Sequence, residues 1–378
     1  MTQSVEILES MKRLVETKHD RAINFKKQTG SKIIGYTCPY VPIEIISAAG
    51  ALPVWVLGNT ETIVEAGAYT QSYFCRYMRN LLDQGLRGVY DYLDGIVVPR
   101  VCDAMQSFYE HWVRYIDTPY KWFLQHPFVT DTSSALTYWT TELTAFKESL
   151  EEFTGRQIPN DDLRSAINVY NTNRSLLRQL HDLQRRNQVP ISGTEVLYVL
   201  LSGLTIPVEE HNTLLQELLQ GLPVRRDAPK GKYRLMLIRG CLAEDAMPSL
   251  QEIEELGGII VTDVTCSGRE RFSKDVPTEG DPLSAIALRY LRGVRCTEYS
   301  PMEPLFEHVL RTAKDHKIQG AIFLLEKYCD PYCLAYPDLR KALEEQRIPS
   351  LLIETGEIAM PLGQVRTRTQ AFFEMIGG

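Results

Sequence analysis

The chain has no apolar run approaching the ~18 residues that a membrane-crossing helix needs, so no membrane span is expected. Its first stretch, MTQSVEILESMKRLVETKHDRAINFKK, lacks an apolar centre and a small-residue cleavage site, which argues against a secretory signal. No G-x-x-x-x-G-K-[ST] is present, so ATP hydrolysis through a P-loop is not expected, and no G-x-G-x-x-G follows a strand pattern. No C-x-x-C pair occurs, which excludes zinc ribbons and thioredoxin-type motifs. The C-x₂-C-x₂-C run of bacterial ferredoxins is missing as well. Positive charge is not in excess: 41 Lys and Arg stand against 48 Asp and Glu, for a net charge of −7. Such a chain is a poor binder of nucleic acid or anionic membranes. These absences predict a cytoplasmic protein.

What remains is a chain of 378 residues, 44% of them apolar, long enough for two domains with real cores. It carries eight cysteines. In a reducing compartment these are not disulfides. They are inert core residues, metal ligands or catalysts.

The hydrophobic pattern is strand, loop, helix, repeated. The first residues have helical spacing and predict an amphipathic helix covering part of a first domain. Strands are predicted at Lys32–Tyr36, Leu52–Leu57, Asp94–Val98 and Lys121–Gln125. Helices are predicted at Pro42–Gly50, around Thr70–Leu82 and at Asp103–Tyr115. From about 133 to 222 the strand signal disappears and helical periodicity dominates. The rhythm then restarts, with strands predicted at Arg234–Ile238, Gly258–Val264, Gly320–Leu325 and Ser350–Ile353. A further helix is predicted to start at Ser300, with Ser300 as cap, Pro301 next and Glu303 three residues on. This alternation predicts an α/β fold of two doubly wound, parallel-sheet domains, with an N-terminal helix and a helical connection. The expected division is 1–189 and 190–378.

Five cysteines follow directly on predicted strands: Cys38, Cys102, Cys241, Cys266 and Cys329. In open α/β sheets, ligands bind beyond the carboxyl ends of the strands. Cysteines gathered there point to a site in the cleft between the domains. Several of these loops lead into helix starts, whose backbone N–H groups favour anions and the sulfurs of a cluster. In Cys329-Asp-Pro-Tyr-Cys333, residues four apart share a helix face. Cys75 is read as lying on a helix beside Met78 and Leu82. Cys241 and Cys266 are expected to be the inert members. Among other polar groups near strand ends, His126, Glu326, Lys327 and Arg269 are candidates for the pocket, and none is assigned a catalytic role.

Five segments in order carry a resemblance over nearly the whole chain: GYTCPYVPIEIISAAGALPV, DGIVVPRVCDAM, CSGRERF, YCDPYC and LGQVRTRTQAFFEMI. They resemble the 2-hydroxyacyl-CoA dehydratase and benzoyl-CoA reductase subunit family. The resemblance implies a 4Fe–4S cluster in the interdomain cleft, with Cys38, Cys102 and Cys329 at the matching ligand positions. It also implies a separate ATP-hydrolysing iron–sulfur activator as electron donor. The added Cys75 and Cys333 resemble a branch known as double-cubane cluster proteins. That branch implies an 8Fe–9S cluster on six cysteines, here Cys38, Cys75, Cys102, Cys296, Cys329 and Cys333, with Cys266 as the other choice for Cys296. It further implies a homodimer and ATP-dependent reduction of small substrates. The alternatives are a subunit of a heteromeric dehydratase or reductase, and a non-catalytic electron carrier.

Overall fold

A computed structural model describes residues 3–241, 243–356 and 361–377. Among the described residues, eight strands form two parallel sheets. The first holds β1 (Ile33–Tyr36), β2 (Leu52–Trp55), β3 (Gly95–Pro99) and β4 (Tyr120–Leu124) in the order β2-β1-β3-β4. The second holds β5 (Tyr233–Ile238), β6 (Gly258–Val264), β7 (Gly320–Glu326) and β8 (Ser350–Thr355) in the order β6-β5-β7-β8. The two orders are the same. β1, β2, β3, β6 and β7 are buried throughout, as continuous apolar runs in a parallel sheet require, while β4, β8 and the first two residues of β5 are partly open. In each sheet the chain reverses direction between the first and third strands, β1 and β3 or β5 and β7. Such a switch point leaves a crevice at the carboxyl ends of the strands. No described helix is long and apolar enough to cross a membrane.

Between the sheets run four helices: Ser133–Thr154, Asn160–Gln184, Gly193–Ser202 and Val208–Gly221. Their ends are set locally. The Thr132 hydroxyl accepts from the Ala135 N–H at 3.1 Å, and Gly155 closes the same helix in the left-handed region at φ 69°, where a Cβ would be strained. Ser192 and Glu195 form a reciprocal capping box. The N-terminal helix Gln3–Glu16, expected to cover part of the first domain, joins that core only through Val15 among its buried apolar residues and packs mainly on the connecting helices. Its Ile7, Leu8 and Met11 pack among Leu177, Val199 and Leu215 of the connecting helices. An amphipathic stripe states that a helix is buried on one face; it does not name the partner.

Two other local expectations change. The helix predicted from Ser300 runs over Glu303–Asp315, because the Ser300 backbone is bonded elsewhere. Its N–H donates to the Phe128 carbonyl at 3.0 Å, and its carbonyl accepts from the Thr130 N–H at 3.1 Å. The helix predicted around Thr70–Leu82 is Arg76–Leu86, which places Cys75 at the N-cap rather than within it.

The seam between the domains carries buried polar contacts. Glu44 of the helix Ile43–Ala48 is completely buried. It is ion-paired with Arg174 and accepts a hydrogen bond from the Tyr290 hydroxyl at 2.7 Å. The Tyr40 hydroxyl donates across the same seam to the Val294 carbonyl at 3.1 Å. These contacts fix the two strand-end crevices face to face.

Candidate functional site

Where the two crevices meet lies a cavity of about 320 Å³. Seven of the eight cysteines line it: Cys38, Cys75, Cys102, Cys241, Cys266, Cys296 and Cys329. All eight are free thiols. The sheet topology explains the convergence. Cys38 follows the end of β1 by two residues, Cys102 the end of β3 by three, Cys241 the end of β5 by three, and Cys329 the end of β7 by three. Cys266 follows β6 by two. Both switch points thus aim thiols into one space.

Three of these thiols sit at helix N-caps: Cys75 on Arg76–Leu86, Cys102 on Asp103–Tyr115, and Cys329 on Asp330–Glu345. The rest of the wall is mostly apolar, from Trp55, Met78, Met105 and Tyr332. Gly240 lets Cys329 come close. A Cβ there would meet Cys329 Sγ at 3.2 Å and the Tyr332 ring at 3.4 Å.

Burial raises every thiol in the wall. It pushes Cys102, Cys241 and Cys296 up to about 12, and Cys38, Cys266 and Cys329 well above the usual range. The thiols also oppose one another's ionisation: Cys38 feels Cys296, Cys102 and Cys241, and Cys329 feels Cys75 and Cys102. Backbone N–H groups of the first helical turns pull the other way, from Met105 and Ala104 at Cys102 and from Tyr332 at Cys329. Such a set stays protonated until a cationic group enters. A metal centre reverses the balance and takes the thiols as thiolates.

No three His, Cys, Asp or Glu side chains among the described residues converge closely enough to hold a single metal ion. The thiols instead ring a space. A multi-iron cluster bound by thiolates suits that arrangement better than one ion does.

Of the six sequence-derived candidates, Cys38, Cys75, Cys102, Cys296 and Cys329 line the cavity and Cys333 does not. Cys333 lies one turn into the helix behind Cys329, its N–H donating to the Cys329 carbonyl at 2.9 Å. Its thiol donates weakly to the Glu326 carbonyl at 3.5 Å. Cys241 and Cys266, expected to be inert, are in the wall. Their strand-end spacing was the signal, and it matched that of the others.

Four carboxylates also line the wall: Asp103, Glu298, Glu326 and Asp330. Glu326, the last residue of β7, is pushed up to about 7 by burial, against the pull of Arg239 at 2.9 Å. Glu298 is also pushed up to about 7, by burial and then by Asp103 and Asp330. Glu326 and Glu298 hold or release a proton near neutrality. His126 is not part of the wall. It is packed among Tyr40, Trp139 and Tyr299, with ring centroids 4.4, 4.6 and 4.5 Å away, and burial pushes it down to about 3. Lys327 is also outside the wall, and Arg269 lines a different cavity.

Two parallel-sheet domains that close a thiol-lined cavity between their strand ends define a class of two-domain α/β cysteine proteins. Within that class the chain belongs to the family described as 2-hydroxyglutaryl-CoA dehydratase, D-component, whose model matches residues 38–376. It is 30% identical to a benzoyl-CoA reductase subunit of Thauera aromatica over 91% of each chain. It is 29% identical to the beta subunit of the (R)-2-hydroxyglutaryl-CoA dehydratase of Acidaminococcus fermentans, over 93% of this chain and 94% of that one. Identity to the (R)-phenyllactyl-CoA dehydratase beta subunit of Clostridium sporogenes is 26% over the whole of both chains.

Proposed function

We propose that this chain is the cluster-bearing component of an ATP-dependent, low-potential reductase of small substrates. The observation that carries the reading is the ring of seven thiols in one cavity. A single 4Fe–4S cubane takes four ligands at most. Seven thiols around one cavity, with an eighth one turn away, exceed that need and suit a double-cubane 8Fe–9S cluster. The ligand set we propose is Cys38, Cys75, Cys102, Cys296, Cys329 and Cys333. Cys266 and Cys241 stand next in line, since both face the same space as the first five.

When bound, such a cluster supplies electrons at low potential to a substrate in the cavity. The chain's own residues supply the rest. Trp55, Met78 and Met105 keep the wall dry. Glu326 and Glu298 hold protons at its edge. The chain has no P-loop motif, so ATP is hydrolysed by a separate iron–sulfur activator that delivers the electrons. The protein works in the cytoplasm as a homodimer.

The names of the relatives favour a second reading, a subunit of a heteromeric dehydratase or reductase. In that case Cys38, Cys102 and Cys329 hold one 4Fe–4S cluster. Iron and acid-labile sulfide per chain separate the two readings, measured on protein purified without oxygen. About eight irons and nine sulfides, falling by roughly half in Cys75→Ser and Cys333→Ser, is the expected result. About four irons, unchanged in both variants, selects the second reading. An iron-free chain after anaerobic reconstitution overturns both.

A further inference from the structure

A second cavity of about 330 Å³ lies apart from the thiol ring and is walled by cations. Arg178 and Arg185 come from the helix Asn160–Gln184 and its end, Arg269 from the turn after β6, Arg295 from the loop before Cys296, and Arg311 from the helix Glu303–Asp315. The sequence scatters these five over more than a hundred positions, and only the fold assembles them. Asp182 is the one carboxylate among the described residues of the wall.

Three of the five are already matched. Arg178 forks onto Asp275 at 2.9 and 2.7 Å, Arg185 pairs with Asp182 at 3.1 Å, and Arg295 pairs with Glu270 at 3.0 Å. Arg269 and Arg311 form no ion pair with a carboxylate among the described residues. Arg269 Nη1 donates to the Thr262 hydroxyl at 3.2 Å and lies 3.4 Å from His316 Nε2. Among the described residues Arg311 Nη2 reaches His308 Nδ1, at 3.4 Å.

A buried donor adds an independent observation. His181 is 3% exposed and lines the same cavity, yet neither ring nitrogen has a hydrogen-bond partner among the described residues. Its nearest acid, Asp263, is 3.7 Å from Nε2, beyond hydrogen-bond reach. A buried polar group of this kind costs free energy unless something occupies the space beside it.

We propose that this cavity is a binding site for a phosphate-bearing anion, with Arg269, Arg311 and His181 as its principal donors. Guanidinium forks match phosphate oxygens in pairs. Two forks without a carboxylate partner and a histidine offer more donors than one carboxylate has acceptor positions to fill. A diphosphate has enough oxygens and fits the volume.

The test is isothermal titration of the full chain, purified without oxygen, with inorganic pyrophosphate, ADP and, as a carboxylate control, succinate. Pyrophosphate binds, succinate binds far more weakly, and the affinity falls with added salt. Arg269→Gln and Arg311→Gln each weaken pyrophosphate by about tenfold or more. Arg311 is exposed, so its variant folds. Arg340→Gln, which removes an exposed arginine paired with Glu344 on another helix, leaves binding unchanged. Equal affinities for pyrophosphate and ADP assign the site to the inorganic anion; tighter ADP assigns it to an organic diphosphate. No binding of either at millimolar concentration, or unchanged affinity in both arginine variants, overturns the proposal. The cluster plays no part in this binding, so failure here leaves the iron assay of the preceding section unaffected.

Discussion

β3 ends at Pro99 and β7 ends at Glu326, and each is followed three residues later by a cavity cysteine, Cys102 or Cys329. Thr37 follows β1 directly and Arg239 follows β5 directly. The two sheets have the same strand order, so these are matching places in the two domains. The thiols match, and the residues directly after β1 and β5 do not. In the first domain the Thr37 hydroxyl donates only to Met105 Sδ, at 3.2 Å. In the second, buried Arg239 holds Asp245 at 2.5 Å and Glu326 at 2.9 Å, and its Nε donates to the Cys241 carbonyl at 2.9 Å. The strand-end scaffold explains where thiols go. Charge is a separate addition, and at these matching places it was made on one side only. Both domains set an aspartate beside a cavity thiol, Asp103 after Cys102 and Asp330 after Cys329, and the second adds Glu298 and Glu326.

The symmetry of the thiols is the part most open to attack. If both domains hold one cluster, Cys102→Ser and Cys329→Ser each lose most of the bound iron, and by similar amounts. Iron per chain after anaerobic purification measures this. A full complement in one variant with loss in the other breaks the comparison and confines the cluster to one domain.

The asymmetry of charge predicts a difference in stability next in size. Removing one partner of a buried ion network leaves uncompensated charge and costs about 3–5 kcal/mol. Arg239→Met therefore destabilises by that order in urea unfolding, because Glu326 stays buried and Asp245 half-buried. Thr37→Val, at the matching place, costs under about 1 kcal/mol, since it loses one weak bond to sulfur. Equal losses would mean that the first domain also depends on a polar group at this edge.

Much of this was legible in the order of the residues alone. Buried parallel strands read as apolar runs, so all eight strands and the cysteines following them stood out. The placements that the pattern did not show have physical reasons. Cys241 and Cys266 carry the same strand-end signature as Cys38, but whether a loop turns inward is a tertiary fact. Cys333 shares a helix face with Cys329 in the pattern, yet the helix carries it behind the wall. Ser300 has the chemistry of a cap, but its backbone is held by Phe128 and Thr130 instead. The arginine cavity has no sequence signature at all, because its members come from four segments.

The smallest effect concerns protons behind the wall. His126 of the first domain is buried neutral, pushed down to about 3 by burial, and His316 of the second is pushed down to about 4. An unfolded histidine takes its proton near 6.5. Above that pH neither state is charged and these residues are silent. Below it the unfolded chain binds protons that the folded chain refuses, so stability falls with pH, by up to about 1.4 kcal/mol per unit for each histidine. The window runs from about 6.5 down to about 3 for His126 and closes near 4 for His316. Glu44 adds to the loss at lower pH: burial opposes its charge, but Arg174 and Arg289 overcome this and hold its carboxyl below the usual range. Urea unfolding at pH 7, 6 and 5 measures the slope. His126→Phe keeps a ring among Tyr40, Trp139 and Tyr299 and removes the titration, so its slope between pH 6 and 5 is shallower than that of the parent chain. An unchanged slope would mean that His126 takes up its proton in the folded state as readily as in the unfolded one. The aromatic cage would then be open to water.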